Sequence, residues 1–446
     1  MSAELLLSLG KIVGSVALLA GVLFAVTLLG RRLKLHPEFS RKLIHVGLGL
    51  YALTFPFVFE HSWEVLATCV LAVGVFALAR RGRLRDQLGE GLHGVGRVSY
   101  GEMLFAASVA LLFELRGGHF VLQAEGRQPG ETLLLYVLPL LILTLCDAAC
   151  ALVGRSYGRS SFRVESGTKS WEGVAVFIVT AWLLSLIAIL LLSEIDRGQA
   201  VLIALIAALF GALLEAASWR GLDNLFIPLG LYFILANLLP RGTAELLLIC
   251  AAFVAVTGAL LALARWRGAD YHVVNSAATL FFCIAIFSGV ASLLTPLLAA
   301  GAYALVSRER SDGGVQHDAL SLIVVIFALA VAFFVLSDLL ARDTIFAFNV
   351  AFAALAATLV ARFRSRTALP LTVLVGALAW GAALVRVTAN GTWSPDASVF
   401  AGLSLVLVAG AAGAVLLLRR FPAHPWAQVG AVSLAAGVLA LPWSPA

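Results

Sequence analysis

Charge is what this chain has least of. Asp, Glu, Lys and Arg make up only 13% of 446 residues, while 61% are hydrophobic and the mean hydropathy is +1.00, which excludes an ordinary soluble domain. Cysteine is equally sparse: five residues, at 69, 146, 150, 250 and 283, lie within or beside apolar runs without CxxC spacing. That excludes a disulfide framework and gives no zinc signature, although Cys146 and Cys150 share a helix face. No internal repeat of about 20 to 50 residues is visible. A cleavable leader is not expected either. The first apolar run, 12 to 30, is too long and is followed by Arg31, Arg32 and Lys34 on the wrong side for cleavage, so it reads as a retained first span.

What the chain has is apolar length. Runs fall near 12 to 30, 43 to 59, 63 to 79, 100 to 115, 131 to 150, 173 to 193, 199 to 218, 225 to 239 and 244 to 264. Beyond them come 272 to 306, 318 to 337, 343 to 361, 368 to 386, 398 to 418 and 425 to 442. A helix needs about 20 apolar residues to cross a bilayer, so the expected fold is an all-α, polytopic bundle of about 15 to 16 spans. Several runs are short, and those are expected to tilt or to pack inside the bundle.

The net charge of +6 collects in the gaps between runs, at 31 to 42, 80 to 97 and 155 to 169 and in short arginine clusters further on. This is the pattern of membrane orientation, and no nucleic-acid partner is implied. All the clusters share one side if the N-terminus is outside and 272 to 306 crosses twice. The expectation is a multi-pass protein of a bacterial-type inner membrane with the loop after Asp147 in the cytoplasm. Polar residues gather in and beside the spans before Arg265 and retreat to short connections after Asp270. Two parts are therefore expected, 1 to 265 and 266 to 446, the second of unassigned role. In that second part His272, Asn275, His317 and Asp318 read as caps or satisfied polar pairs.

Four polar groups carry the chemistry. In FSRKLIHVG, Lys42 and His45 share a helix face, with Arg41 beside them; the alternative role is a basic membrane anchor. The second group, 80 to 102, is basic and glycine-rich and includes Glu90, His93 and Glu102. The third is CDAACALVGRSYGRSSFRVESGTKSWEG, from Cys146 to Gly173. Asp147 closes an apolar run there, and carboxylates in membrane segments are costly enough to imply function. Gly154 and Gly158 would let backbone N–H groups approach phosphate. Arg155, Arg159 and Lys169 would clamp a triphosphate, Lys169, Ser170 and Glu172 open the next helix, and Asp147 with Glu172 would hold Mg²⁺. Gly154 and Gly158 also spell GxxxG, a packing motif, but the charged surroundings argue against that role. The fourth group, EAASWRGLDNLFIPLG, offers Glu215, Asp223 and Asn224, of which Asn224 also reads as a helix cap. Acidic positions converging on a basic loop suit metal-assisted phosphoryl transfer.

RKLIHVG, then DAACALVGRSYGR with KSWEG, then GLDNLFIPL, in this order, resemble the family of dolichol kinases, phytol kinases and CTP-dependent diacylglycerol kinases over about residues 35 to 240. The middle motif is also similar to that of phosphatidate cytidylyltransferases. The resemblance implies a membrane enzyme that phosphorylates a lipid alcohol from CTP or another nucleoside triphosphate with Mg²⁺. It implies functional roles for Arg41, Lys42, Asp147, Gly154, Arg155, Gly158, Lys169, Glu172 and Gly173, with Asp223 as a further metal ligand and Asn224 in support. His45 and Glu215 are expected to support the substrate. Cytidylyltransferases of that kind carry a PGHGG segment ending in Asp-Arg, where this chain reads RGLDNLFIPLG, which favours a kinase. A transporter of lipid or anion is the rival of another class, and the oligomeric state stays open.

Overall fold

The structure, a computed structural model, describes residues 3–33, 37–79, 101–116, 129–164, 167–218, 221–267, 271–307, 317–340, 342–363, 375–378, 380–381, 397–418, 420–421 and 423–443. The basic stretch 80 to 97, with Glu90 and His93, and most of the run 368 to 386 lie outside these residues. Among the described residues seven helices are long and apolar enough to cross a membrane, and six shorter apolar helices accompany them. The protein is thus an all-α polytopic membrane protein. The long helices are fewer than the apolar runs because runs such as 43 to 59 and 225 to 239 yield helices of only 16 residues.

Chain packing divides the molecule into two units, Met1–Gly118 with Gln123–Gly258, and the region from Ala259 onward. The first contains α1 (Ala3–Leu33), α2 (Pro37–Ala52), the single turn α3 (Phe55–Val58), α4 (Ser62–Ala79) and α5 (Gly101–Arg116). One long helix follows: α6 (Pro129–Leu141) runs through a π turn (Ile142–Cys146) into α7 (Asp147–Tyr157). A two-stranded antiparallel hairpin, β1 (Ser161–Val164) and β2 (Gly167–Ser170), leads into α8 (Trp171–Leu192), α9 (Arg197–Ala217), α10 (Asp223–Leu238) and α11 (Thr243–Arg267).

The centre of this unit is α10. It has no polar face, and every residue from Phe226 to Ala236 is buried, as expected for a helix sheathed on all sides. It packs against α5, α6, α9 and the π turn. Gly230 allows the approach to α9, since a Cβ there would sit 2.9 Å from Leu214 Cδ1. Around this centre α8 packs on α7 and α9, and α2 packs on α1, α7 and the π turn.

The polar loop expected directly after Asp147 begins three helical turns later. Asp147 is inside the membrane helix rather than at its end, and α7 carries on through Arg155. The hairpin is the one departure from an all-helical chain among the described residues. Its base is closed by Trp171 N donating to Ser160 O at 3.0 Å, and Phe162 packs on Trp171 with ring centroids 4.8 Å apart.

The second unit holds α12 (Tyr271–Ser288), a 3₁₀ turn (Val290–Leu293), α13 (Leu294–Val306), α14 (His317–Leu340), α15 (Ile345–Phe363), α16 (Ala397–Leu418) and α17 (Pro425–Ala440). The run 272 to 306 is broken into two helices at Gly289, whose φ of 82° is the left-handed region that glycine favours. Its centre is α15, buried from Phe346 to Ala361 and flanked by α13, α14, α16 and α17. Two buried polar pairs lie against it: Thr295 Oγ1 donates to Asn349 Oδ1 at 2.9 Å, and Thr358 and Ser433 hydroxyls meet at 3.3 Å. At its edge Asp318 accepts from Trp426 Nε1 at 3.0 Å.

Candidate active site

The site begins with a defect in a helix. Pro139 sits inside α6 and has no N–H to give the ladder, and one residue beyond α6 the chain widens into the π turn Ile142–Cys146. Gly49 of α2 lies against this turn, for a Cβ there would fall 2.0 Å from Thr144 Oγ1. The close approach brings Lys42 and His45, on one face of α2, to Asp147 at the first position of α7.

Lys42 Nζ donates to both oxygens of Asp147, at 2.6 and 2.7 Å, with both residues buried. His45 Nε2 is 3.4 Å from Asp147 Oδ2 and 3.2 Å from Leu143 O in the π turn. Both neighbours are acceptors, so Nε2 carries the proton. Phe105 of α5 packs edge-on to the His45 ring. Such a buried pair is held by geometry, since taking two charges out of water offsets much of their attraction.

A second pair lies beside the first. Lys169, the penultimate residue of β2, donates to Glu215 Oε1 at 2.8 Å and also to Glu215 O. That carbonyl belongs to the last turn of α9, where a cation suits both the open acceptors and the helix dipole. Burial alone would lower the Lys169 ammonium, but Glu215 and then Asp223 outweigh it and hold it above its ordinary 10.5. Asp223, at the start of α10, acts on Lys169 through its charge. Cys150, one turn after Asp147, joins the two pairs: its Sγ is 3.4 Å from Asp147 O and 4.0 Å from Glu215 Oε1.

The structure thus gathers Lys42, His45, Asp147, Lys169, Glu215 and Asp223 from α2, α7, the hairpin, α9 and α10. Arg41 is exposed and acts on Lys42 and Asp147 through its charge. Among the described residues the one compact group of acidic, thiol or imidazole ligand atoms is Asp147, Cys150 and Glu215, all within 4.8 Å. Cys150 is the member that the sequence did not single out. Its only sequence signal was the one-turn spacing from Cys146.

The structure also shows what the other expected site residues touch. Glu172 is not part of the acidic group: its Oε1 accepts the backbone N–H of Arg159 and Ser160, at 3.0 and 3.1 Å, and so holds the start of the hairpin. Ser170 caps α8 by accepting from Gly173 N at 3.0 Å. The glycines sit in close quarters. A Cβ at Gly173 would meet Cys150 O at 2.9 Å, at Gly154 it would meet Ser170 Oγ at 2.6 Å, and at Gly158 it would meet Gly154 O at 2.2 Å. The approach of Gly154 to Ser170 and Gly173 also fits the packing reading of GxxxG, with Arg155 turned outward and exposed. Asn224 is no cap, being buried inside the first turn of α10 with its Oδ1 lacking a hydrogen-bond partner. Arg155 and Arg159 are exposed, and Arg159 lines an open groove of about 510 Å³ with Ser156, Tyr157, Gly158 and Glu172. None of these residues belongs to the buried cluster.

Comparison with known proteins decides the lineage. The model of the cytidylyltransferase family matches residues 2–217. A phytol kinase of Synechocystis sp. is 30% identical over 222 residues, which are 49% of this chain and 87% of that protein. The chain belongs to the phytol kinase family. No solved structure matches it. Like other members of the phytol kinase family, it is a membrane enzyme of the lipid-kinase kind. Both ammonium–carboxylate pairs lie inside the matched residues, whereas Asp223 and Asn224 lie beyond the end of the family model.

Proposed function

We propose that the protein transfers the terminal phosphoryl group of CTP, or of another nucleoside triphosphate, to the hydroxyl of a membrane lipid alcohol such as a polyprenol, phytol or diacylglycerol. The observation that carries the reading is the meeting of two lysine–carboxylate pairs, Lys42–Asp147 and Lys169–Glu215, inside an otherwise apolar helix bundle. Phosphoryl transfer needs little covalent chemistry from a protein and is served by positioning and by cations set against developing charge. Exposed Arg155 and Arg159 on the water-facing side would steer the triphosphate, and the apolar flanks of the bundle would admit the lipid from the side. The basic clusters argue that this side is cytoplasmic, where nucleoside triphosphates are found.

Mg²⁺ fits here in a narrower way than the sequence implied. It favours one or two carboxylates plus phosphate oxygens. Asp147 is closed on both oxygens by Lys42, and Glu172 is engaged with the hairpin backbone. Asp223, which neither lysine closes, would hold the ion against the nucleotide. When bound, Mg²⁺ would neutralise charge on the triphosphate tail.

The test is an assay of the purified protein with γ-labelled CTP, Mg²⁺ and a panel of lipid alcohols. Label appearing on the alcohol supports the reading. Release of diphosphate with a cytidylyl group appearing on a lipid phosphate would overturn it in favour of cytidylyl transfer, the second reading, which the description of the matching family model keeps in view.

A further inference from the structure

The two carboxylates at the centre of the site are not equivalent. Asp147 is already engaged on both of its oxygens: Lys42 Nζ bridges them, and His45 Nε2 lies 3.4 Å from Oδ2. Glu215 is different. It is 8% exposed, its Oε1 is held by Lys169, and its Oε2 is buried with no hydrogen-bond partner. A buried carboxylate oxygen left unsatisfied is costly, and such an orphan in a native site calls for an absent partner. Asn224 Oδ1, on the residue after Asp223, is a second buried acceptor without a partner. Acceptors that lack partners ask for a donor, and the one donor that a lipid alcohol brings is its hydroxyl.

We infer that Glu215 Oε2 is the base that takes the proton from the acceptor alcohol, while Asp147 is a positioning residue that fixes Lys42 and His45. The inference rests on the kinase reading above. In the step, the alcohol oxygen forms a bond to the γ-phosphorus of the nucleoside triphosphate as its proton passes to Glu215 Oε2. The bond from that phosphorus to the β–γ bridging oxygen breaks, and the nucleoside diphosphate leaves with the electron pair. Lys169, from the hairpin, keeps Oε1 engaged and so aims Oε2. The other groups facing Glu215 are Cys150 and Asp147 on α7, Asp223 on α10 and Lys42 on α2. A base held this way needs only hydrogen-bond reach of the hydroxyl and no movement of the lysine pairs.

The experiment compares the parent protein, Glu215→Gln, Glu215→Asp and Asp147→Asn, each in detergent with γ-labelled CTP and one lipid alcohol. Gln keeps an oxygen for Lys169, and unfolding midpoint together with nucleotide binding, read with a fluorescent analogue, verifies the fold. The expected result is a fall of about a hundredfold or more in kcat for Glu215→Gln with nucleotide affinity retained. The parent's rate is expected to fall at low pH, and that fall should vanish in Glu215→Gln and persist in Glu215→Asp and in Asp147→Asn. Glu215→Gln at the parent kcat, or with the parent's pH profile, overturns the assignment while leaving the kinase reading intact. A parent protein that transfers label to no alcohol overturns the kinase reading and this inference with it.

Discussion

At the scale of single residues, the site is a set of paired charges whose partners are far apart in sequence. Lys42 and Asp147 are separated by 105 positions. Removing one member leaves the other charge buried and alone, which costs about 3–5 kcal/mol, whereas removing both is close to neutral. Lys42→Met is therefore expected to lower the unfolding midpoint in detergent sharply. The double change Lys42→Met with Asp147→Leu is expected to recover most of the loss without recovering activity. For Lys169 the sign follows from its raised value. A group whose folded pKa lies above its unfolded one contributes fully below the unfolded value and loses that contribution as pH rises through the folded value. The gap in unfolding midpoint between the parent and Lys169→Met should narrow as pH rises above 10.5. The sequence disclosed these residues as ionisable groups beside spans. It could not disclose that Lys42 closes Asp147 while Glu215 keeps an open oxygen, because that depends on which helix ends meet.

Among elements, helices were the legible part. Apolar length and the polar gaps between runs placed α8 and α9 within a few residues, since a bilayer imposes its thickness on the chain, whereas α1 starts well before the expected run. Two features were not legible. The hairpin's strands, SFRV and GTKS, are four residues each and the second has no apolar residue, so the alternation of Phe162 and Val164 in the first is too short to announce it. The π turn has no signature in Ile142–Cys146 itself, and only Pro139 upstream hinted at a disturbed ladder. The glycines at the end of α7 are expected from their basic neighbours to let backbone approach phosphate; the sequence did not disclose that Gly154 and Gly173 also meet at the contact of α7 with α8. Gly173→Ala forces a Cβ to within 2.9 Å of Cys150 O and is expected to destabilise by about 1–3 kcal/mol, read as a lower unfolding midpoint. Ser170→Ala removes the cap of α8 and should cost about 1 kcal/mol. Because Ser170 follows Lys169, the same change should also weaken transfer activity by loosening the hairpin.

For the molecule as a whole, each unit has its own fully buried helix, α10 in one and α15 in the other. Amide hydrogen exchange is expected to be slowest in these two. The residues shared with the Synechocystis phytol kinase amount to 49% of the chain, and the gathered site lies before Asn224. A chain shortened after Arg267 is accordingly expected to keep phosphoryl transfer, checked by the γ-label assay. Loss of activity with an intact fold would assign the later helices a part in the reaction.

The distance along the chain between Lys42 and Asp147 has a consequence for biosynthesis. As the ribosome delivers α2, a helix of 16 residues bearing Arg41, Lys42 and His45, its counter-charge has yet to be made. A lysine without its partner resists entry into hydrocarbon. Stable insertion of α2 should therefore wait for α7, so that nascent chains halted before Asp147 leave this helix accessible to water-soluble labels and chains halted after Tyr157 protect it.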